Sequence, residues 1–161
     1  MERVPIDVNA IVAGIDSDDS EAFLGASELL RAYALGVDAT GVIEPYATLH
    51  QANPLTTEQV DALSQALVAY IDSGRLHNAV AAIHALGQLR DPQRLPWLHE
   101  RLTLAVNDFV AHGDLLGQTI IAMENCGATV VRGGAFSSRE YEKNLADAQT
   151  YLSLHDDDSN P

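Results

Sequence analysis

The stretch 79–102, AVAAIHALGQLRDPQRLPWLHERL, constrains the fold more than any other part of the chain. It spells a helix, a tight corner and the start of a second helix. Ala79, Val80, Ile83 and Leu86 recur at helical spacing and make one apolar stripe. Gly87 stands near the end of that helix, where a missing Cβ permits either close packing or a left-handed cap. Asp91-Pro92 is a strong restart signal. The Asp91 carboxylate can accept from the free N–H groups of the next turn, and Pro92 suits the first helical position because an N–H there would be unpaired anyway. Leu95, Leu98, Leu102, Ala105, Val106 and Phe109 continue as the apolar face of one helix running from about 93 to His112-Gly113. Pro96, about one turn in, is expected to bend that helix or move its start.

The corner is repeated. Ala34-Leu35-Gly36 followed by Pro45-Tyr46 matches Ala85-Leu86-Gly87 followed by Pro96-Trp97, each 51 residues apart (36 to 87, 45 to 96). A weaker echo sets Ala122, Met123, Cys126 and Gly127 against Ala82, Ile83, Leu86 and Gly87, 40 residues apart (87 to 127). Periods of this size belong to repeat architectures. The unit ALGQLRDPQRLPWL resembles a HEAT-like repeat, specifically over 75–112, fairly over 113–131 and loosely over 20–52. The resemblance implies an all-α fold: a right-handed stack of antiparallel helix pairs, a short α-solenoid of six to eight helices. It would form a single domain over 1–155, with 156–161 as a frayed acidic tail. The alternative is an ordinary helical bundle with two similar corners.

With 161 residues, 47% of them apolar, the chain can build one real core and is not of disordered type. No apolar run approaches the ~18 residues of a membrane span. The opening MERVPIDVNA has Glu2 and Asp7 and no long apolar core, so no secretory signal is expected. A single cysteine, Cys126, excludes an internal disulfide and a cysteine-built zinc site. Together these predict a cytoplasmic protein.

The net charge is −14, from 23 acidic against 9 basic residues. It is uneven. Residues 1–74 hold 12 acids and two arginines, a net of −10, while 75–161 hold 11 acids and seven basic residues, a net of −4. An acidic surface keeps proteins soluble and also steers a basic partner inward. No Lys/Arg patch exists to neutralise phosphates, so nucleic acid is not an expected partner.

Along the chain, 5–15 is expected as a short helix. Asp16-Ser17-Asp18-Asp19-Ser20-Glu21 fails as a calcium loop, because Glu21 stands where glycine is needed and Ser27 where a bidentate Glu is needed. It is better suited to starting a helix, with Asp18 or Ser20 as cap. Helices over 21–36 and 38–52 and a turn at Asn53-Pro54 follow. Thr56 and Gln59 form a capping box, and Val60, Leu63, Leu67, Tyr70 and Ile71 line the helix behind it, closed by Gly74. Residues 115–126 form a helix with Leu115, Leu116, Thr119, Ile120 and Met123 inward. GATVVRGGAF, 127–136, is expected as a loop ordered against the last helix, since Val130 and Val131 have no strand to pair with. Ser137 and Glu140 suggest a second capping box, with Tyr141, Leu145, Ala148 and Leu152 lining the closing helix.

Residues suited to catalysis or metal binding are scarce. There is no phosphate loop and no nucleophile elbow. His99-Glu100 starts a zinc-protease motif, but Thr103 takes the place of the second histidine. His77 and His84 share a helix face about 10 Å apart and cannot alone hold one metal. Cys126 fits a small core residue better than a nucleophile. Trp97 and Tyr46 suit packing at repeat seams, or anchors if exposed. No catalytic residue, metal or cofactor is expected.

A helical solenoid without catalytic groups is a binding surface. In HEAT-like stacks the second helix of each pair lines the concave side. The resemblance therefore implies an outward stripe of His77, Ala81, His84 and Gln88, matched 40 residues on by Gly117, Ile121, Glu124 and Ala128. With Asp16, Asp18, Asp19 and Glu21, the residues His77, His84, Gln88 and Glu124 form the expected partner surface. Three functions compete: an immunity protein that neutralises a basic toxin domain such as a nuclease by occluding its active site, a general HEAT-type adapter, and an enzyme similar to HEAT-like chromophore lyases. The first is favoured by size, charge and the lack of catalytic groups.

Overall fold

A computed structural model describes residues 7–15, 17–19, 21–22, 26, 56–74 and 79–156 of the chain. Every regular element among them is helical. The first copy of the repeated corner, 34–46 with Tyr46, lies outside the described residues, as do the 38–52 helix, the Asn53-Pro54 turn, Asp16 and His77. The chain divides into two compact units, Met1–Leu89 and Arg90–Pro161, and the division falls in the corner that opens at Leu89.

In the first unit, α1 (Val8–Ile15) buries Ile11 and Ile15. Asp7 starts it, its carboxylate accepting the Ala10 N–H at 3.0 Å. Gly14 is required by close approach: a β-carbon there would stand 2.5 Å from that of Ala26 and 3.2 Å from the Ala22 carbonyl oxygen. α2 (Thr57–Asp72) opens on the expected capping box, with Gln59 N–H donating to Thr56 Oγ1 at 3.2 Å and Thr56 N–H to Gln59 Oε1 at 2.9 Å. Leu63, Leu67, Tyr70 and Ile71 are buried along it, and the chain leaves through Gly74 at φ +81°. α3 (Ala79–Gln88) packs on α2, and α2 on α1.

The buried face of α3 is Ala79, Ala82, Ile83, Ala85, Leu86 and Gly87. Four of these six residues are alanine or glycine. Val80, expected in the stripe, is 41% exposed. The 79-82-83-86 spacing follows the helical period, and Val80 falls one residue off it. Gly87 is buried inside the helix and is not a left-handed cap. The left-handed position belongs instead to Arg90, at φ +52°. The helix stops beside the Asp91-Pro92 restart and not at the glycine.

In the second unit, Asp91 Oδ1 accepts the Gln93 N–H at 3.1 Å and Oδ2 the Arg94 Nε–H at 3.2 Å. Pro92–Arg94 form a 3-10 turn, and α4 (Leu95–Asn107) follows. Pro96 therefore moves the helix start and stands in the first turn, where its missing N–H has no intrahelical partner to lose. Leu98, Leu102 and Ala105 face inward. The expected single helix to residue 112 is broken at Asp108 (φ −131°, ψ 72°), whose carboxylate accepts the Ala111 N–H at 3.2 Å and starts α5 (Phe109–His112). The local cap thus outweighs the apolar period. Phe109 leaves the core and is 43% exposed. Gly113–Leu115 is a 3-10 turn leading into α6 (Leu116–Asn125), which buries Leu116, Thr119, Ile120, Ala122 and Met123.

The closing helix α7 (Tyr141–Asp156) buries Ala148 and Leu152 as expected, with Leu145 half-buried, but differs at Tyr141 and in the polar residues it buries. Asn144, Asp147, Ala148, Tyr151 and Leu152 are buried, while Tyr141 is 65% exposed. Ser137 does not form a capping box with Glu140. Its hydroxyl accepts the Arg139 N–H, and its carbonyl accepts from the Glu140 N–H and the Asn144 amide at 2.9 Å, so it shapes the turn before the helix. α4 packs against both α6 and α7, and α6 touches α7.

The register of α3 is tested by a pair of substitutions. Leu86→Asp buries an unpaired carboxylate and loses packing, so a loss of about 3–5 kcal/mol is expected in urea titration, whereas Val80→Asp should stay within about 0.5 kcal/mol of wild type. Arg90→Gly relieves a left-handed backbone and is expected to stabilise by about 0.5–1 kcal/mol, read as a raised melting temperature.

Candidate functional site

The N-terminal acids form a local hydrogen-bonded turn. Ser17 Oγ accepts the Asp19 N–H at 3.1 Å, and Asp19 Oδ1 accepts the Glu21 N–H at 3.0 Å. Asp19 thus accepts an N–H at the start of the next helical stretch; Ser20 lies outside the described residues. Asp18, Asp19 and Glu21 are all exposed. Among the described residues no group of three or more His, Cys, Asp or Glu is placed to hold a metal.

His84 and Gln88 lie one turn apart on α3, and their side chains meet at 3.1 Å between Gln88 Nε2 and His84 Nε2. His84 is exposed, while Ala81 and Gln88 are half-buried.

In the second unit Gly117, Ile121 and Glu124 of α6 are half-buried, as is Ala128, which lies beyond the end of that helix. The 127–136 loop folds back over it. Its N–H groups, which have no strand partner, find carboxylates instead. Glu124 Oε1 accepts the N–H groups of both Val130 and Val131 at 2.7 Å each, and Asp147 Oδ2 on α7 accepts the Arg132 N–H at 3.2 Å. Val130 is fully buried. Gly133 and Gly134, at φ +67° and +81°, turn the chain so that Phe136 returns to α6, its Cζ 3.5 Å from where a β-carbon on Gly117 would stand. Between helix and loop lies a half-open groove of about 350 Å³. Ile120, Ile121, Glu124 and Asn125 line it from α6, and Val131, Gly134 and Phe136 from the loop.

The charges of the second unit are organised by their neighbours. Burial works against the Asp147 charge, but the Lys143 ammonium at 2.6 Å and the Arg132 N–H outweigh it and hold the carboxyl below the usual carboxylate range. Tyr151 is raised by burial and by the charge of Glu124. Its ring lies 4.1 Å from that of His155 and 6.0 Å from that of His99, and His99 Nε2 stands 3.4 Å from Asp156 Oδ1. Cys126 is buried; burial first and then the Asp91 charge push its thiol up to about 11, although the Asp91 N–H pulls the other way. It stays a protonated thiol at neutral pH, fitting the small core residue expected from its repeat position. Trp97 is half-buried under Arg101, whose guanidinium carbon lies 5.0 Å from the ring centroid.

Of the expected contact residues, Glu124 is the one that lines this groove. Asn125, Val131 and Phe136 were not expected there, nor Asp147 as its brace. The signal present in the sequence was the pair Gly133-Gly134 inside an apolar loop, which marks a chain reversal without saying against what.

Asp147 generates a pH prediction. Its lowered pKa means that the folded state holds the charge more strongly than the unfolded chain, so its stabilisation is complete above the ordinary value of 3.8 and disappears as pH falls through the lower folded value. Asp147→Asn is expected to cost about 1–2 kcal/mol at pH 7 in urea titration, and the gap to wild type should close toward pH 3. An equal gap at both pH values would show that the charge is not its source.

Comparison of the chain with protein-family models, with curated proteins and with solved structures finds no match.

Proposed function

We propose that this protein is a non-catalytic protein-binding module that engages a basic protein partner through its acidic N-terminal half. In this reading it is an immunity protein that occludes the active site of a basic toxin domain, with a nuclease as the expected class, and its helices stack as a short HEAT-like solenoid. The observation that carries the reading is the charge asymmetry, −10 over residues 1–74 against −4 over the rest. The exposure of Asp18, Asp19 and Glu21 supports it. Charge of this kind raises the rate of encounter more than it holds a complex. No helix among the described residues is long and apolar enough to cross a membrane.

A general adapter is the second reading. It is favoured by Leu104, Phe109 and Val110, apolar side chains that are 40%, 43% and 99% exposed on the second unit. Such side chains suit a contact with a further protein. Gene neighbourhood separates the two readings, because an adjacent toxin gene favours immunity.

The test needs a partner, obtained by pull-down from the protein's own host. Its association rate is expected to fall clearly as salt rises from about 0.05 to about 0.5 M, because the screening length shortens. Replacing Asp16, Asp18, Asp19 and Glu21 together by Asn or Gln should slow association at low salt while leaving the melting temperature nearly unchanged. The same change at Asp157 and Asp158 should matter less. An association rate indifferent to both salt and the N-terminal substitutions would reduce the acidity to a solubility device.

A further inference from the structure

We propose that the groove over α6 is a socket for one arginine side chain of a protein partner. The proposal deepens the reading of a basic partner and rests on it. The groove's volume, about 350 Å³, lies at the small end for ligand sites and suits a single side chain rather than a large cofactor. Ile120, Ile121 and Val131 offer apolar walls for a methylene stem. Phe136 offers an aromatic ring to a guanidinium plane.

Glu124 supplies the charge. One of its oxygens is occupied by the Val130 and Val131 N–H groups, while the other receives no hydrogen bond among the described residues. The neighbouring ammonium, Lys143, is engaged by Asp147 at 2.6 Å rather than by Glu124. Glu124 is therefore an anchored acid with an unused acceptor beside apolar walls. Arginine answers this better than lysine, since its flat, weakly hydrated fork can stack and hydrogen-bond together. The loop's bonds to Glu124 and Asp147 preform the groove, which lowers the ordering cost of binding.

The probe is N-acetyl-arginine amide, titrated into the full chain while the methyl signals of Ile120, Ile121 and Val131 are followed by NMR. Saturable shifts are expected, with a Kd of about 1–10 mM. The neutral isostere N-acetyl-citrulline amide should bind at least about tenfold more weakly, since a desolvated charge-assisted pair is lost. Glu124→Gln keeps an oxygen for the loop N–H groups and removes the charge, and it should weaken arginine binding by about fivefold or more. Ile121→Lys places a cation in the groove and should abolish the Val131 shift, which keeps the proposal testable should Glu124→Gln loosen the loop. Equal shifts from citrulline, stronger shifts from N-acetyl-leucine amide, no saturable shift, or unchanged arginine binding in Ile121→Lys would each overturn the socket. A groove that ignores arginine, in a protein whose partner still associates in a salt-dependent way through the N-terminal acids, overturns the socket alone and leaves the wider reading standing.

Discussion

A backbone N–H taken out of water must find an acceptor, and in the second unit that demand is met by two carboxylates. The 127–136 loop carries Val130 into the core without any strand beside it. Glu124 on α6 and Asp147 on α7 accept the N–H groups of three successive residues, Val130, Val131 and Arg132. An ionised acceptor makes a stronger bond than a neutral one, and leaving a buried N–H unmade costs more than the bond itself contributes. The loop's path, the placing of Phe136 over Gly117 and the groove between them all depend on these bonds.

The same chemistry recurs at the helix starts. Asp7, Asp19, Asp91 and Asp108 each accept a backbone N–H two or three residues on. Aspartate is short enough to reach its own chain and carries the sign that a helix N-terminus favours. Part of the acidity of this protein is therefore architectural. In the second unit Asp91, Asp108, Glu124 and Asp147 are committed to backbone or basic partners, and Asp18, Asp19 and Glu21 of the first unit are exposed. Asp19 does both, because one exposed carboxylate can hold a turn and still project charge into solvent.

The two ends of the repeated corner behave differently for a related reason. Gly87 was expected either to pack or to cap, and it is buried within α3 without a left-handed backbone. The left-handed backbone falls instead on Arg90, next to the Asp91-Pro92 restart. Farther on, Asp108 breaks what the apolar period presents as one helix. A period of Leu98, Leu102, Ala105 and Phe109 describes which face is apolar, but a residue that can cap its own successor offers the backbone a competing solution.

The sequence by itself determined the all-helical class, the capping box at Thr56 and Gln59, the start at Asp91-Pro92, the buried faces of α2 and α6, and the burial of Cys126. The helical features depend on residues near one another in the chain and the Cys126 reading on its repeat position, so spacing along the chain is enough to read them. On α7 it placed Ala148 and Leu152 inward but included the exposed Tyr141 and missed the buried Asn144 and Asp147, because a buried polar side chain looks like a surface one until its partner is known. The groove was likewise decided only by tertiary structure. Glu124 and Asp147 stand 23 residues apart (124 to 147) on different helices and converge on one loop. Nothing in their spacing announces that meeting, because hydrogen bonds between distant segments leave no period in the chain.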